Sequence, residues 1–223
     1  MARHTPHVYV PQPWRSGQIQ LSEDATKHME KVLRKTDLAA VTYTDGAGLV
    51  GSGVYARGWI ERGTETVHEA PRCSVTIAVA PPKSTNRVRF IVEKLGELGT
   101  ARLVWLQTAH TEGRPPRAEK AASWAQAALQ QSQGAWLMET GEVMTLDELG
   151  KFGMVVVANR SGPGAGELEC DSDIVLCIGP EGGFSPDEVP DDLLTLKLSE
   201  RVLRIETAAV AGAALLINRP LHG

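Results

Sequence analysis

Residues 73–223 alternate short apolar runs with longer amphipathic segments, and this alternation restricts the fold more than any other feature of the sequence. The apolar runs have the length of buried strands and read CSVTIAVA, ARLVWLQT, MVVVA, DIVLCI and LLTLKL. Between the first two, apolar residues recur at helical spacing from Val88 to Leu98, and Gly99 ends the predicted helix. Strands that alternate with helices form parallel sheets covered on both faces. The sequence therefore predicts an α/β domain over residues 73–223.

Three more helices are predicted in this domain. A long one covers AEKAASWAQAALQQSQ, and a short one follows Thr145, which forms a capping box with Glu148. An alanine-rich helix, ETAAVAGAALLINR, closes the chain before Pro220. These helices are the elements expected to cover the sheet.

Residues 1–72 have a different pattern and are predicted to form a small β-rich domain, with HEAPRC as the linker. HVYV and GWIERG are short candidate strands, and AVTYTDGAGLVGSGVYA indicates two strands joined at Asp45-Gly46. LSEDATKHMEKVLRK indicates a helix capped by Ser22, with an inner stripe of Ala25, Met29, Val32 and Leu33. Four cations share another face of this helix: Lys27, Lys31, Arg34 and Lys35. They form either a solvated face or a contact surface for phosphates.

Charge is distributed unevenly along the chain, although the net charge is only −4. Residues 1–120 hold 17 Lys and Arg against 12 Asp and Glu, whereas residues 121–223 hold 6 against 15. This asymmetry indicates one surface that suits a polyanion, unless it is ordinary uneven surface charge.

Several classes of protein are disfavoured by composition. The apolar fraction is 42%, but no run approaches a membrane span, and MARHTPHVYV lacks an apolar signal core, so we expect a cytoplasmic protein. Cys73, Cys170 and Cys177 have no CxxC spacing and are expected to be reduced and buried. The six histidines are scattered, so no metal site is expected.

Two loops in the last third of the chain carry the candidate site. IGPEGG follows the strand that ends at Ile178, and LSERVLRIE follows the strand that ends near Leu198. Ligands of open α/β sheets bind beyond the carboxyl ends of strands, so two neighbouring strands would place both loops over one crevice. The glycine turn exposes backbone and leads into a predicted helix at SPDE, where Ser185 is the N-cap. The second loop adds apolar side chains that suit a flat ligand group such as a purine. No GxGxxG follows the first strand of the domain, which argues against a nicotinamide enzyme.

IGPEGGFSPDE and LSERVLRIETAAVAGAAL together resemble the ribosomal RNA small subunit methyltransferase E family, which methylates N3 of a uridine in 16S rRNA. HMEKVLRKT and KLGELG are similar to further segments of that family. The resemblance implies a SPOUT-type methyltransferase domain with a trefoil knot over residues 73–223 and an RNA-binding PUA-like domain over residues 1–72. It also implies S-adenosyl-L-methionine as cofactor, the small ribosomal subunit or its 16S rRNA as partner, and a homodimer that packs on the last helix, without membrane or metal.

The resemblance also implies roles for individual residues. The residues expected to bind the cofactor are Ile178, Gly179, Pro180, Glu181, Gly182, Gly183, Leu198, Ser199, Val202 and Leu203. Those expected to bind RNA are Lys27, Lys31, Arg34, Lys35, Lys83, Arg87 and Arg114.

Catalysis at uracil N3 requires loss of a proton and stabilisation of the resulting negative charge. Arg204, just before the last helix, is the candidate for that charge, unless it pairs with Glu206 or Glu181. Glu206 is either the base that removes the N3 proton or a favourable negative charge at the start of the last helix. Glu181 either orders the glycine turn or faces the sulfonium of S-adenosyl-L-methionine.

The chain departs from the family pattern at Gln130, Gly134 and Ile205. These departures fall outside the cofactor turns. They leave open an alternative, in which the chain is a catalytically silent RNA-binding protein that retains the knotted fold.

Overall fold

The computed structural model describes residues 5–14, 17–31, 37–164 and 171–219. The chain divides into two compact units. The first unit takes Met1–Ala70 and Leu129–Leu137, and the second takes Pro71–Ala128 and Met138–Gly223. Arg34, Lys35, Val32, Leu33, Cys170 and Pro220 lie outside the described residues.

The first unit contains a five-stranded sheet in the order β1-β3-β4-β5-β2. Its elements are β1 His7–Tyr9, β2 Gln18–Gln20, α1 Glu23–Lys31, β3 Asp37–Thr44, β4 Leu49–Ala56 and β5 Trp59–Val67. The strands pair antiparallel except β1, which runs parallel to β3. Ser22 caps α1 as predicted, because its Oγ accepts the N–H of Ala25 at 3.2 Å. The β-rich character predicted for this part of the chain is therefore confirmed.

Two buried tyrosines organise the core of the first unit. Tyr43 and Tyr55 have no exposed surface, and Gly51 leaves room for the Tyr43 ring, which a Cβ at that position would approach to 2.2 Å. The Tyr43 hydroxyl donates to Glu65 at 2.6 Å, and Arg62 Nε donates to the same carboxylate at 2.7 Å. Burial, together with Glu65, raises the pKa of Tyr43 to about 12, so this hydroxyl stays protonated.

The second unit is built on a six-stranded parallel sheet in the order β11-β9-β10-β6-β7-β8. Its strands are β6 Val75–Val79, β7 Arg102–Leu106, β8 Glu139–Met144, β9 Met154–Ala158, β10 Ile174–Ile178 and β11 Leu194–Leu196. Its helices are α2 Thr85–Leu98, α3 Ala118–Ser132, the 3₁₀ helix Leu146–Phe152 and α4 Ile205–Ile217; α3 begins in this unit and ends in the first. The predicted α/β class with a parallel sheet is confirmed.

Close packing at the centre of the sheet explains the apolar runs of the sequence. All residues of β6 and β10 are buried. Helix α4 packs on both strands and on α2. At Gly212 a Cβ would lie 2.2 Å from Leu176 Cδ2, so only glycine allows α4 to approach β10 this closely. Gly99 ends α2 as predicted, with a left-handed φ of 82°.

One condition considered for this unit is not met, and one prediction about it is wrong. The strands β10 and β11 are not neighbours, because β9 lies between them and pairs with both. No helix begins at Ser185: its N–H binds Glu188 Oε2 at 2.7 Å, but the segment remains a turn. The other oxygen of Glu188 accepts the N–H of Ala109, and Pro190 follows two residues later, so both the carboxylate and the chain direction are fixed before a helix can form.

The capping box at Thr145 is confirmed, because the Thr145 N–H donates to Glu148 Oε2 at 2.7 Å; it begins the 3₁₀ helix. Of the cysteines, Cys177 is buried, as expected, whereas Cys73 is partly exposed, and both are free thiols. Within the described ranges, no helix is both long and apolar enough to cross a membrane. The same ranges contain no cluster of His, Cys, Asp or Glu side chains suited to a metal ion.

Candidate functional site

A cavity of about 270 Å³ lies in the second unit where β9, β10 and β11 end at the sheet's carboxyl edge. We call it the glycine-turn cavity, because Gly179, Pro180, Glu181 and Gly183 of the glycine turn form one of its walls. A second wall comes from the segment 198–203, which leads from β11 into α4 and lines the cavity with all its residues except Glu200. Every residue predicted to bind the cofactor lines this cavity except Gly182, which packs near the ring of His110. The two loops singled out in the sequence thus share one cavity even though their strands are not adjacent.

The glycine turn is held from both sides. Gly183 adopts a left-handed φ of 74° and closes the turn by donating to the Pro180 carbonyl at 2.9 Å. Its own carbonyl accepts from His110 Nδ1 at 3.0 Å. Gly179 is needed for packing, since a Cβ there would lie 2.7 Å from the ring of Phe184. The result is a wall of backbone against which a ligand can lie closely.

A third segment lines the cavity and was not singled out in the sequence. Ala158, Asn159 and Arg160 follow β9, the strand between the two whose loops were predicted. The Asn159 N–H donates to the Leu196 carbonyl at 2.9 Å, and its side chain accepts from Ser161 N–H at 2.9 Å. The signal in the sequence was the apolar run MVVVA, because its carboxyl end reaches the same edge of a parallel sheet.

The second wall combines apolar and polar groups. Leu198 and Leu203 are half-buried, and Val202 is 77% exposed and free to contact a ligand. Ser199 orders the loop, because its hydroxyl accepts the Arg201 N–H at 3.0 Å. Arg201 lines the cavity, whereas Arg204 lies outside its lining, exposed at the N-cap of α4.

An ion-pair cluster joins the glycine turn to α4. Arg87 of α2 donates from Nε to Glu206 at 2.7 Å and from Nη1 to Glu181 at 2.8 Å. Burial would raise the pKa of Glu206, but the bonds from Arg87 and from its own backbone N–H hold that pKa below the usual value. Arg87, predicted to contact RNA, thus makes the ion pairs that were considered for Arg204.

A second cavity of about 360 Å³ lies beside α2, and we call it the Lys83–Arg114 cavity. Lys83 Nζ lies 2.7 Å from Glu112 Oε2, which raises the pKa of Lys83. Arg114 is exposed and makes no hydrogen bond or ion pair with the described residues. Both cations were predicted to bind RNA, and the structure places them in one cavity.

The remaining predicted residues lie in the first unit or at its boundary. Lys27 and Lys31 are exposed on α1, and Lys27 pairs with Glu23. Gln130 Oε1 accepts the Tyr9 N–H at 3.3 Å, and the carbonyl of Gly134 accepts from His7 Nε2 at 3.1 Å. Both positions therefore take part in hydrogen bonds inside the first unit, and a Cβ at Gly134 would lie 2.9 Å from Leu129 Cδ1.

Ile205, the third departure, lies in the second unit. It is buried and lines the glycine-turn cavity.

Comparison with known proteins agrees with this geometry. Residues 68–217 match the family model described as RNA methyltransferase domain. A solved structure of ribosomal RNA small subunit methyltransferase E from Neisseria gonorrhoeae, bound to S-adenosylmethionine, is 23% identical with a TM-score of 0.82, covering 96% of this chain and 97% of that one. A Legionella pneumophila protein solved with the same cofactor is 22% identical with a TM-score of 0.85 and the same coverage.

A protein from Porphyromonas gingivalis, described as a probable rRNA methyltransferase, is 26% identical with a TM-score of 0.81 over 95% of this chain and 96% of its own. No curated protein sequence matches the chain. The likeness to these solved structures extends over nearly the whole chain, so the first and the second unit each have the fold of the corresponding part of those structures.

Proposed function

Because the chain belongs to the RNA methyltransferase domain family, we propose that it transfers a methyl group from S-adenosylmethionine to N3 of a uridine in 16S rRNA. The observation that carries the proposal is the glycine-turn cavity. It joins the two loops that resemble the cofactor loops of the uracil-N3 enzymes, and it lies inside the matched residues.

The lining of the glycine-turn cavity suits an adenosyl group. Ile178, Leu203 and Ala208 offer apolar surface to a flat ring, while the bare backbone of residues 179–183 offers polar groups. When bound, S-adenosylmethionine supplies a methyl group on a positively charged sulfur. Glu181 at the rim carries the opposite charge, and Arg87 fixes its position. The proposed cofactor residues are those named from the sequence, with Ala158, Asn159, Arg160 and Arg201 added.

The catalytic roles suggested by the sequence remain part of the proposal in a narrower form. Glu206 serves as the charge at the start of α4 rather than as a base, because Arg87 and its own backbone N–H stabilise its ionised form. The Arg204 side chain is exposed beside the cavity and makes no hydrogen bond to the described residues, so we assign it to the negative charge that develops on uracil. The target uridine must be unpaired to expose N3.

Replacing Arg204 tests this assignment. We expect Arg204→Ala to lower the methylation rate at least ~10-fold while the Kd of S-adenosylmethionine changes less than about threefold. Arg201→Ala is the matched variant, because Arg201 lines the cavity and its loss should weaken cofactor binding. Equal activity of Arg204→Ala and the wild type would reject the role of Arg204.

We also propose a homodimer, a cytoplasmic location, and a PUA-like RNA-contacting role for the first unit. The small residues Ala208, Ala209, Gly212 and Ala213 pack inward within one chain, so they do not require a dimer. The proposed homodimer is supported instead by the outer face of α4, where Leu215 is 40% exposed. Sedimentation of the wild type and Leu215→Glu tests this, since a dimer packed on α4 should dissociate in the variant.

The function itself is tested with purified protein and ribosomes from a strain that lacks it. Calorimetry should show one S-adenosylmethionine bound per chain, and incubation with small subunits should add one methyl group at a uridine located by mass spectrometry. Free 16S rRNA and large subunits are the controls. A chain that binds RNA but neither binds S-adenosylmethionine nor methylates the small subunit would be the silent RNA-binding protein, and the proposal would fail.

A further inference from the structure

Two further cavities of the second unit lie beside the glycine-turn cavity, and their charges differ. The first is the Lys83–Arg114 cavity, whose Glu112 lies two residues after His110, the residue that binds the Gly183 carbonyl of the glycine turn at 3.0 Å. The second has a volume of about 560 Å³ and shares Phe184 with the glycine-turn cavity. The acceptor of a methyl group has to lie next to the donor, so these two cavities are the candidates for the acceptor.

Charge decides between them. The larger cavity is lined by Asp147, Asp187 and Glu188, with no Lys or Arg among its lining residues. A phosphodiester chain would be repelled there. The Lys83–Arg114 cavity holds two cations against the single carboxylate of Glu112, so it attracts RNA.

Lys83 and Glu112 form a pair that matches the edge of uracil. The Nζ of Lys83 and the Oε2 of Glu112 lie 2.7 Å apart, which sets a donor beside an acceptor. Uracil presents a carbonyl oxygen next to its N3–H, so Lys83 can donate to the oxygen while Glu112 accepts from N3. Cytosine presents an unprotonated N3 at that place, which a carboxylate repels.

The rest of the cavity suits the remainder of a nucleotide. Pro115, Pro116 and Val88 provide apolar surface for the face of a base. The guanidinium of Arg114 makes no hydrogen bond or ion pair with the described residues and can take a phosphate. Gly113 packs against the chain at Pro81, whose carbonyl oxygen would lie 2.0 Å from a Cβ, so the loop that carries Glu112 is held in place.

We propose that the Lys83–Arg114 cavity binds the uridine that is methylated and that Glu112 takes its N3 proton. This inference rests on the proposed function. The N3–H bond breaks and the proton passes to Glu112, while Lys83 stabilises the negative charge on one uracil carbonyl oxygen, the other being the one assigned to Arg204. The N3 electron pair forms the bond to the methyl carbon as the sulfur–methyl bond breaks, and that bond's electrons leave on sulfur as a neutral thioether. Glu112 then returns the proton to water, to which its side chain is 65% exposed.

The test compares Glu112→Gln with Glu119→Gln, a matched control in which an exposed carboxylate on α3 is neutralised. With small subunits from the deletion strain, we expect Glu112→Gln to lower kcat about 100-fold and Glu119→Gln to leave it unchanged. Cofactor affinity should be unaffected in both. The deficit of Glu112→Gln should shrink as pH rises, because solvent base then removes the N3 proton, and a purely structural defect would not respond in this way.

A cross-link gives an independent readout that does not depend on folding of a variant. Target RNA with 5-iodouridine at the methylated position should cross-link to the wild type within residues 112–116. A cross-link elsewhere, or Glu112→Gln with kcat within threefold of the wild type, would overturn the inference alone. A wild type that neither binds the cofactor nor methylates RNA would overturn the proposed function and this inference together.

Discussion

At the scale of single residues, Arg87 is the group that links the glycine turn to helix α4. It reaches Glu181 in the glycine turn and Glu206 in the first turn of α4. The Glu206 side chain is only 13% exposed, so its charge depends on Arg87 more than on water. A charge-assisted hydrogen bond between partly buried groups contributes roughly 1.5–3 kcal/mol.

Removing Arg87 should therefore weaken both stability and cofactor binding. We expect Arg87→Ala to lower the free energy of unfolding by about 2 kcal/mol at neutral pH and to raise the Kd of S-adenosylmethionine about 10-fold. Arg89→Ala is the control on the same helix, since its exposed pair with Glu93 contributes no more than about 0.5 kcal/mol. Urea unfolding and calorimetry on the three proteins measure both effects, and equal losses in both variants would contradict the argument.

The same cluster predicts a pH dependence with a definite sign. The folded-state pKa of Glu206 is lowered, so its contribution to stability is present above the unfolded value of about 4.3 and is lost as pH falls through the folded value. The difference in unfolding free energy between the wild type and Arg87→Ala should therefore be large at about pH 7, persist down to about pH 4.3 and shrink at lower pH. A difference that grows on acidification would show that Glu206 is not the group involved.

At the scale of elements, the sequence predicted the features that depend on neighbouring residues and missed those that depend on contacts between distant segments. The strand around Val157, the helix ended by Gly99 and the capping box at Thr145 each follow from a pattern within a few residues. Strand order depends on pairing between distant segments, which is why β9 was not foreseen between β10 and β11. The turn at Ser185 carries the residues of a helix start, but its Glu188 also binds a loop 79 residues away.

The candidate site was predicted for the same local reason. The glycine turn and the arginine-bearing loop before α4 each have a characteristic sequence motif. The loop after β9 has none and can be assigned to the site only from its place in the sheet. The cluster of Arg87 with Glu181 and Glu206 joins residues about 100 positions apart, so no spacing in the sequence indicates it.

One packing contact sets the shape of the glycine turn and can be changed alone. In Gly179→Ala the new Cβ would meet the Phe184 ring at 2.7 Å, and the ring would have to move. We expect a loss of about 1–3 kcal/mol in stability and at least ~10-fold weaker cofactor binding. Gly150→Ala is the control, because a Cβ at that exposed position meets nothing within 4 Å. Thermal unfolding and calorimetry should separate the two; an unchanged Kd in Gly179→Ala would show that Phe184 does not shape the site.

At the scale of the whole molecule, an acidic chain has to bind a polyanion, and this requires its cations to be grouped. The net charge of −4 combines a basic excess in residues 1–120 with a larger acidic excess after them. The cations predicted from the sequence to bind RNA all come from the basic portion, and the described ones are exposed except Arg87, which is bound to two carboxylates. The carboxylates of the acidic cavity beside Phe184 come from the other portion, so charge restricts which surfaces RNA can approach.

Salt dependence measures how many of these cations meet phosphate. If Lys27 and Lys31 on α1 each neutralise one phosphate, Lys27→Glu with Lys31→Glu should reduce the slope of log K against log salt by about 1.4–1.8 and weaken RNA binding at every salt concentration. Lys120→Glu with Lys151→Glu makes the same change in net charge at two exposed lysines of the second unit. Because counterion release follows local contacts and not total charge, only the first pair should change the slope. Equal slopes for both double variants would show that the α1 lysines are solvated and do not contact phosphate. Lys83 and Arg114 would then be the remaining cations proposed to contact RNA.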